Sequence, residues 1–145
     1  KPLPFRRSSA AYVYSEHLLE HLPYPDSAFQ LLQECRRVLA PGGQLRIGVP
    51  DTESVMHAYT VGEQHAYFQL AKELWHPNWC RTMMEHINHH FRDDGDHFFA
   101  YDFVTLEALL MQAGFIRISR SAFNAAIDSE KRAVGTLYVD AWTAQ

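Results

Sequence analysis

Six apolar residues, Ala28, Leu31, Leu32, Cys35, Val38 and Leu39, recur at i, i+3, i+4, i+7, i+10 and i+11. That spacing is one face of an α-helix, where side chains three and four apart lie above one another. Gln30, Gln33, Glu34, Arg36 and Arg37 fall on the wet side. Asp26 or Ser27 is expected to cap this helix. Pro41-Gly42-Gly43 is expected to end it, because Pro cannot continue a helix and Gly reaches positive φ without a steric penalty. The period changes on both sides. Residues 11–14, Ala-Tyr-Val-Tyr, form a short β-prone run, read as a buried strand that stops at Ser15. Residues 44–50 alternate Leu45, Ile47 and Val49, which predicts a second strand with Asp51 just past its end. Strand, helix, strand in this order predicts a parallel crossover unit.

Residues 16–22 are read as a short helical segment closed by Pro23 and Pro25. Residues 52–76 carry apolar positions at helical spacing, with Gly62 dividing the run and Pro77 stopping it. Residues 77–100 are rich in His, Asp and aromatic side chains and show no period that assigns them. Asp102 or Thr105 is expected to cap a helix through Ala113, with Leu106, Leu109, Leu110 and Ala113 as its buried stripe. Gly114 fits the left-handed position after that helix, and Phe115 can fold back onto Leu110. Residues 115–119 and 136–142 read as two further strands, joined by a polar connection over 124–133.

Composition narrows the function. A chain of 145 residues, 47% hydrophobic and 21% charged, is expected to form one globular domain. A net charge of −4 argues against nucleic acid or an anionic membrane as partner. No apolar run approaches the ~20 residues of a membrane span. Cys35 and Cys80 form no disulfide framework and fit a reducing cytoplasm. The opening Lys1-Pro2-Leu3-Pro4-Phe5 has no capping signal and reads as the middle of a longer chain.

Nine histidines invite a metal reading. His17-x-x-Glu20-His21 has the form of an inverted zinc-protease motif, with both histidines on one face if the segment is helical. Such a site needs a third ligand and a helix long enough to present it, and Pro23 and Pro25 cut this one short. The preferred reading has Leu18, Leu19 and Leu22 packing inward while His21 hydrogen-bonds nearby. A second cluster holds His86, His89, His90, Asp93, Asp94, Asp96 and His97. Its spacing matches no closed structural-zinc pattern, and a solvated turn ranks ahead of a metal site. No metal ligand is assigned on this reading. Trp75, Trp79, Phe91, Phe98, Phe99 and Tyr101 are read as core.

Several of these stretches together resemble a known family. Leu3-Pro4-Phe5, the run from Ala11 to Leu22 with "YSEHLLEHL", "ECRRVLAPGG" at 34–43 and Leu45 to Asp51 resemble class I S-adenosylmethionine-dependent methyltransferases of the type 11 group. "TLEALLMQAGF" at 105–115 and residues 136–141 resemble that group's later helix and closing strand. The resemblance implies an α/β, Rossmann-like sheet, mostly parallel with an antiparallel final strand. The family's Gly-rich cofactor loop and the acidic residue that holds the ribose find no counterpart in these residues. The sheet is therefore expected to be incomplete, holding the family's strands four to seven in the order fourth, fifth, seventh, sixth. Residues 1–145 would form a single partial domain, with 52–101 as a helical cap insertion.

The resemblance also implies S-adenosylmethionine as cofactor and an acceptor that is a small molecule. Ser15, Glu16 and His17 would lie at a strand's carboxyl end facing the cofactor's methionine half, where ligands of open α/β sheets bind. His17 is the candidate catalytic base, since an ordinary imidazole titrates near pH ~6.5. The cap would shape the acceptor pocket. The 145 residues alone are expected to bind cofactor weakly or not at all. Two alternatives stand beside this reading. One is a non-catalytic interaction module that self-associates as a homodimer through a bare sheet edge at 11–15. The other is a metalloprotein using its two His clusters.

Overall fold

The computed structural model describes residues 2–145. Its strands and main helices are β1 (Ala10–Glu16), α1 (Asp26–Val38), β2 (Leu39–Pro50), α2 (Thr52–Val61), α3 (Ala66–Leu70), α4 (Met83–Arg92), α5 (Phe103–Gln112), β3 (Ile116–Ser121) and β4 (Thr136–Trp142). The sheet order is β1-β2-β4-β3, with β1 parallel to β2 and β4 antiparallel to both its neighbours. Three strands thus run one way and the last runs back, in the spatial order the sequence resemblance implies.

Register decides what each face buries. Leu45 pairs with Ala141, Ile47 with Val139 and Val49 with Leu137. Because side chains alternate along a strand, these six share one face. Ala28, Leu32 and Cys35 of α1 and Leu106, Leu109 and Leu110 of α5 complete the core on that face. Full burial of each Leu is worth about 1.5–3 kcal/mol relative to exposure. The opposite face carries Arg46, Gly48, Tyr138 and Asp140. There the guanidinium of Arg46 donates to Asp128 from Nε at 2.7 Å and from Nη2 at 2.5 Å, and to Asp140 from Nη1 at 3.1 Å. The 124–133 connection therefore does more than join two strands. It delivers a buried carboxylate onto the sheet.

Several boundaries depart from the sequence expectations. Asp26 and Ser27 lie at the start of α1 rather than capping it; Pro25 holds the N-cap position without a side-chain bond. The helix stops at Val38, before Pro41-Gly42-Gly43, because Leu39 is extended (ψ 136°) and pairs with Ala10. The next regular pair is Tyr12 with Gln44, so residues 40–43 bulge out of the ladder. Gly42 takes φ +72°, and a Cβ on Gly43 would sit 2.8 Å from the Ala40 carbonyl oxygen. The glycines thus shape a bulge inside β2 rather than a helix end. β1 also runs to Glu16, past the expected stop at Ser15.

Between β2 and α5 the helices α2, α3 and α4 build a smaller apolar cluster from Val55, Ala58, Tyr67, Phe68 and Ala71, with Trp75, Met83 and Ile87 packed on it. Asp51 caps α2 by accepting from Ser54 N at 3.3 Å, and Gly62 at φ +113° follows its end. Helix α4 lies in the segment that showed no readable period. It begins with a capping box, Thr82 and Glu85 each bonding the other's backbone N–H. Two of its buried positions are His86 and His90, which a search for aliphatic stripes does not count. Phe98 and Trp79 are exposed at 60% and 47%, so the aromatic set is only partly core. Leu18 is exposed as well, unlike Leu19. No described helix is long and apolar enough to cross a membrane.

Candidate functional site

A cavity of about 360 Å³ opens where the carboxyl ends of β1 and β2 meet the first residues of β4 and the helices between β2 and α5. Pro50 and Thr136 form its sheet side, and Tyr67, Trp75 and His90 face them. Six histidines line it: His17, His21, His76, His89, His90 and His97. Asp93, Lys131 and Arg132 supply its charge.

The three residues singled out at the end of β1 behave differently from one another. Ser15 pairs with Ile47 within the sheet. Glu16 accepts a 2.7 Å hydrogen bond from the Tyr138 hydroxyl. His17 leaves the strand at φ +48°, with its backbone N–H on the Gly48 carbonyl at 2.8 Å. Only His17 of the three reaches the cavity. Its Nε2 lies 2.9 Å from Thr136 Oγ1, and its Nδ1 is bonded by the Arg132 guanidinium. Arg132 can only donate, so Nδ1 is the acceptor and Nε2 carries the proton toward Thr136. Burial, helped by the Arg132 charge, depresses the His17 pKa to about 3. The ring is therefore neutral, with both nitrogens engaged.

The zinc-protease spacing does not form. Only Leu19–His21 is helical, as a single 3₁₀ turn, and His17 lies outside it. The structure instead gives Glu20 an unforeseen place. Its side chain is 1% exposed, and neither carboxylate oxygen has a hydrogen-bond partner. Burial raises its pKa to about 6. Its Oε1 lies 3.4 Å from His17 Nδ1 and 3.7 Å from His21 Nε2. His97 joins this group from the other side of the chain, its ring edge-on to that of His21 with centroids 4.9 Å apart. No sequence signal links residues 21 and 97, because the contact is made by the return of the chain after α4.

A second imidazole group sits deeper. His76 Nδ1 and His86 Nδ1 are 2.8 Å apart, so one donates and the other accepts. Burial, with His89 and His86 adding to it, lowers the His76 pKa to about 3. Burial also lowers His90, to about 4. His17, His76 and His90 thus present neutral imidazoles to the cavity, beside the side chains of Lys131 and Arg132. The wall offers lone pairs and N–H donors, suited to a polar ligand of modest size.

Residues 1–47 match the family model described as "Methyltransferase domain". Among solved structures, the chain is similar to a SAM-dependent methyltransferase from Thermotoga maritima, at TM-score 0.55 and 13% identity, covering 97% of this chain and 59% of that one. It is similar to a SAM-dependent methyltransferase from Archaeoglobus fulgidus at TM-score 0.54 and 15% identity, covering 96% and 62%. The chain has the fold of a class I methyltransferase. A possible exported protein from Bordetella parapertussis shares it at TM-score 0.58 and 15% identity, covering 97% of this chain and 41% of that one. A search of curated proteins finds no match. The chain spans less than two thirds of each of these structures. Within that fold the His-rich cavity occupies the carboxyl-end crevice, where open α/β sheets bind their ligands.

Proposed function

We propose that these residues supply the acceptor side of an S-adenosylmethionine-dependent methyl transfer to a small molecule. The observation that carries this reading is the position of the His-lined cavity, at the carboxyl ends of β1 and β2 and beneath the helices of 52–101. In this reading residues 1–145 form one partial domain, and 52–101 is its cap. Ser15, Glu16 and His17 stand nearest the cofactor. Methyl transfer asks the protein mainly for an in-line approach of nucleophile to methyl. His17 would orient the acceptor, and would serve as its base once Arg132 releases Nδ1. A cytoplasmic location belongs to the same proposal, supported by the free, buried thiols of Cys35 and Cys80.

The test is titration calorimetry with S-adenosylhomocysteine on the folded full-length chain that contains these residues. Saturable heat supports the reading, and its absence sinks it. The 145-residue chain alone is expected to bind the same ligand weakly or not at all, and micromolar binding would refute that part.

A second reading rests on β1. Among the described residues it pairs on one side only, with Tyr12 and Tyr14 exposed at 39% and 37%. An open edge of this kind templates strand addition, most simply by a second copy. Sedimentation showing a clean monomer counts against it.

A further inference from the structure

We propose that Glu20, His21 and His97 form a binding site for a divalent transition-metal ion of the zinc class, opening onto the His-lined cavity. The three ligand atoms lie within 4.8 Å of one another. Around a tetrahedral zinc with ligands at about 2.0–2.1 Å, neighbouring ligand atoms stand roughly 3.3 Å apart, so a small contraction closes the group.

Two independent observations point to an ion. The first is the Glu20 carboxylate, buried to 1% exposure with neither oxygen hydrogen-bonded, its nearest polar neighbours being His17 Nδ1 at 3.4 Å and His21 Nε2 at 3.7 Å. A buried carboxylate without hydrogen bonds is costly, and such groups in folded proteins pair with charges or coordinate metals. The second is how the imidazoles are held. His21 Nδ1 lies 3.0 Å from the Asp96 carbonyl oxygen, and His97 Nδ1 lies 2.8 Å from the His90 carbonyl oxygen. A carbonyl only accepts, so each Nδ1 carries a proton, and in the neutral ring the lone pair then lies on Nε2. His21 Nε2 then faces Glu20 Oε1 at 3.7 Å. His97 Nε2 makes no hydrogen bond, its nearest carboxylate oxygen being Asp93 Oδ2 at 3.6 Å. A ring N–H fixed on a backbone carbonyl with the other nitrogen free of hydrogen bonds is the arrangement in which metal-bound histidines are held.

Two imidazoles and one carboxylate suit zinc and its first-row neighbours and leave a coordination position free. His21 and His97 both line the cavity, so that position faces it. An ion there would polarise an oxygen, nitrogen or sulfur atom of a ligand lodged in the cavity. The binding site itself stands apart from the methyl-transfer reading.

The experiment strips the full chain with a chelator and titrates it with zinc by calorimetry, with no other ligand present. Cobalt is then substituted, and its visible absorption reports the coordination. One zinc per chain is expected. Glu20→Gln and His97→Gln are each expected to weaken binding at least ~10-fold and bleach the cobalt band, since even outer-shell partners cost 10–100-fold. Glu20→Gln removes a buried charge at nearly constant shape, so it is expected to fold. Circular dichroism checks this, and His21→Gln replaces any variant that fails. Cys80→Ser is expected to leave zinc binding unchanged. No zinc or cobalt uptake overturns the proposal. So does uptake that survives both cavity variants but is lost in Cys80→Ser, which would place the ion at the deeper group of His76, Cys80 and His86.

Discussion

Arg46 Nη2 and Asp128 Oδ2 stand 2.5 Å apart although 82 residues separate them. The pair is buried on the polar face of the sheet, with the Tyr138 ring 4.8 Å from the guanidinium carbon. It ties the connection before β4 to the strand that ends at the cavity. Arg132 and Lys131, which charge that cavity, lie on the same connection.

Arg46→Met is therefore expected to be severe. It leaves Asp128 and Asp140 without their common cation, and stranding a buried charge costs about 3–5 kcal/mol. Asp128→Ala is expected to cost less, because Arg46 keeps Asp140 at 3.1 Å. Urea unfolding of both variants checks the order. Equal losses would contradict it.

Acid is expected to destabilise the fold in two stages. His76 takes a proton near 6.5 when unfolded but near 3 when folded, because it is buried. Between these values the unfolded chain binds more protons, so stability falls as pH drops from 6.5 toward 3. Asp128 acts lower. Burial alone would raise its pKa, but hydrogen bonds from Arg46 and Asn124 N outweigh that and lower it. Its contribution is present above 3.8, the ordinary value, and is lost as pH falls further. Melting temperatures in chelator-containing buffer, from neutral to acid, measure the first stage. His76→Asn is expected to make it shallower without abolishing it, because buried His17 and His90 are depressed in the same direction, to about 3 and about 4. A wild-type curve flat below pH 6.5 would refute a buried neutral His76.

Thr82→Ala is expected to cost about 1 kcal/mol, the usual worth of an N-cap hydroxyl. Thr82 Oγ1 accepts from Glu85 N at 3.2 Å, and Glu85 Oε2 accepts from Thr82 N at 2.8 Å. Denaturant midpoints measure the loss, and Thr82→Ser is expected to recover most of it.

Gly114→Ala is expected to cost about 1–3 kcal/mol, the range for a residue held in a sparsely populated backbone region. Gly114 has φ +90°, and a Cβ there would meet Arg36 Nε at 2.8 Å. Arg36 can swing away, but its hydrogen bond to the Gly114 carbonyl, 3.1 Å, would go with it. Thermal melting of Gly114→Ala against Arg36→Ala separates backbone strain from the lost bond.

The elements with aliphatic periodicity were legible in the chain. The α1 face of Ala28, Leu32, Cys35 and Val38, the alternation of Leu45, Ile47 and Val49, and the stop at Gly114 each follow from local geometry, and the structure keeps them. Helix α4 was not legible, because His86 and His90 occupy buried positions that aliphatic residues usually mark. Gly42-Gly43 has the local form of a helix end but shapes a bulge, because the pairing of Leu39 with Ala10 that decides it is long-range.

The candidate site divides in the same way. The sequence by itself determined that residues 15–17 sit at a strand end and that Pro23 and Pro25 keep the following helix short. Both are local consequences of side-chain alternation and of proline's fixed φ. Only the tertiary structure decided which histidines work together. It turned His17 toward Thr136 and Arg132, buried Glu20 without a hydrogen bond, and brought His97 beside His21. Those contacts depend on where the chain returns after α4, and no spacing along the chain encodes that return.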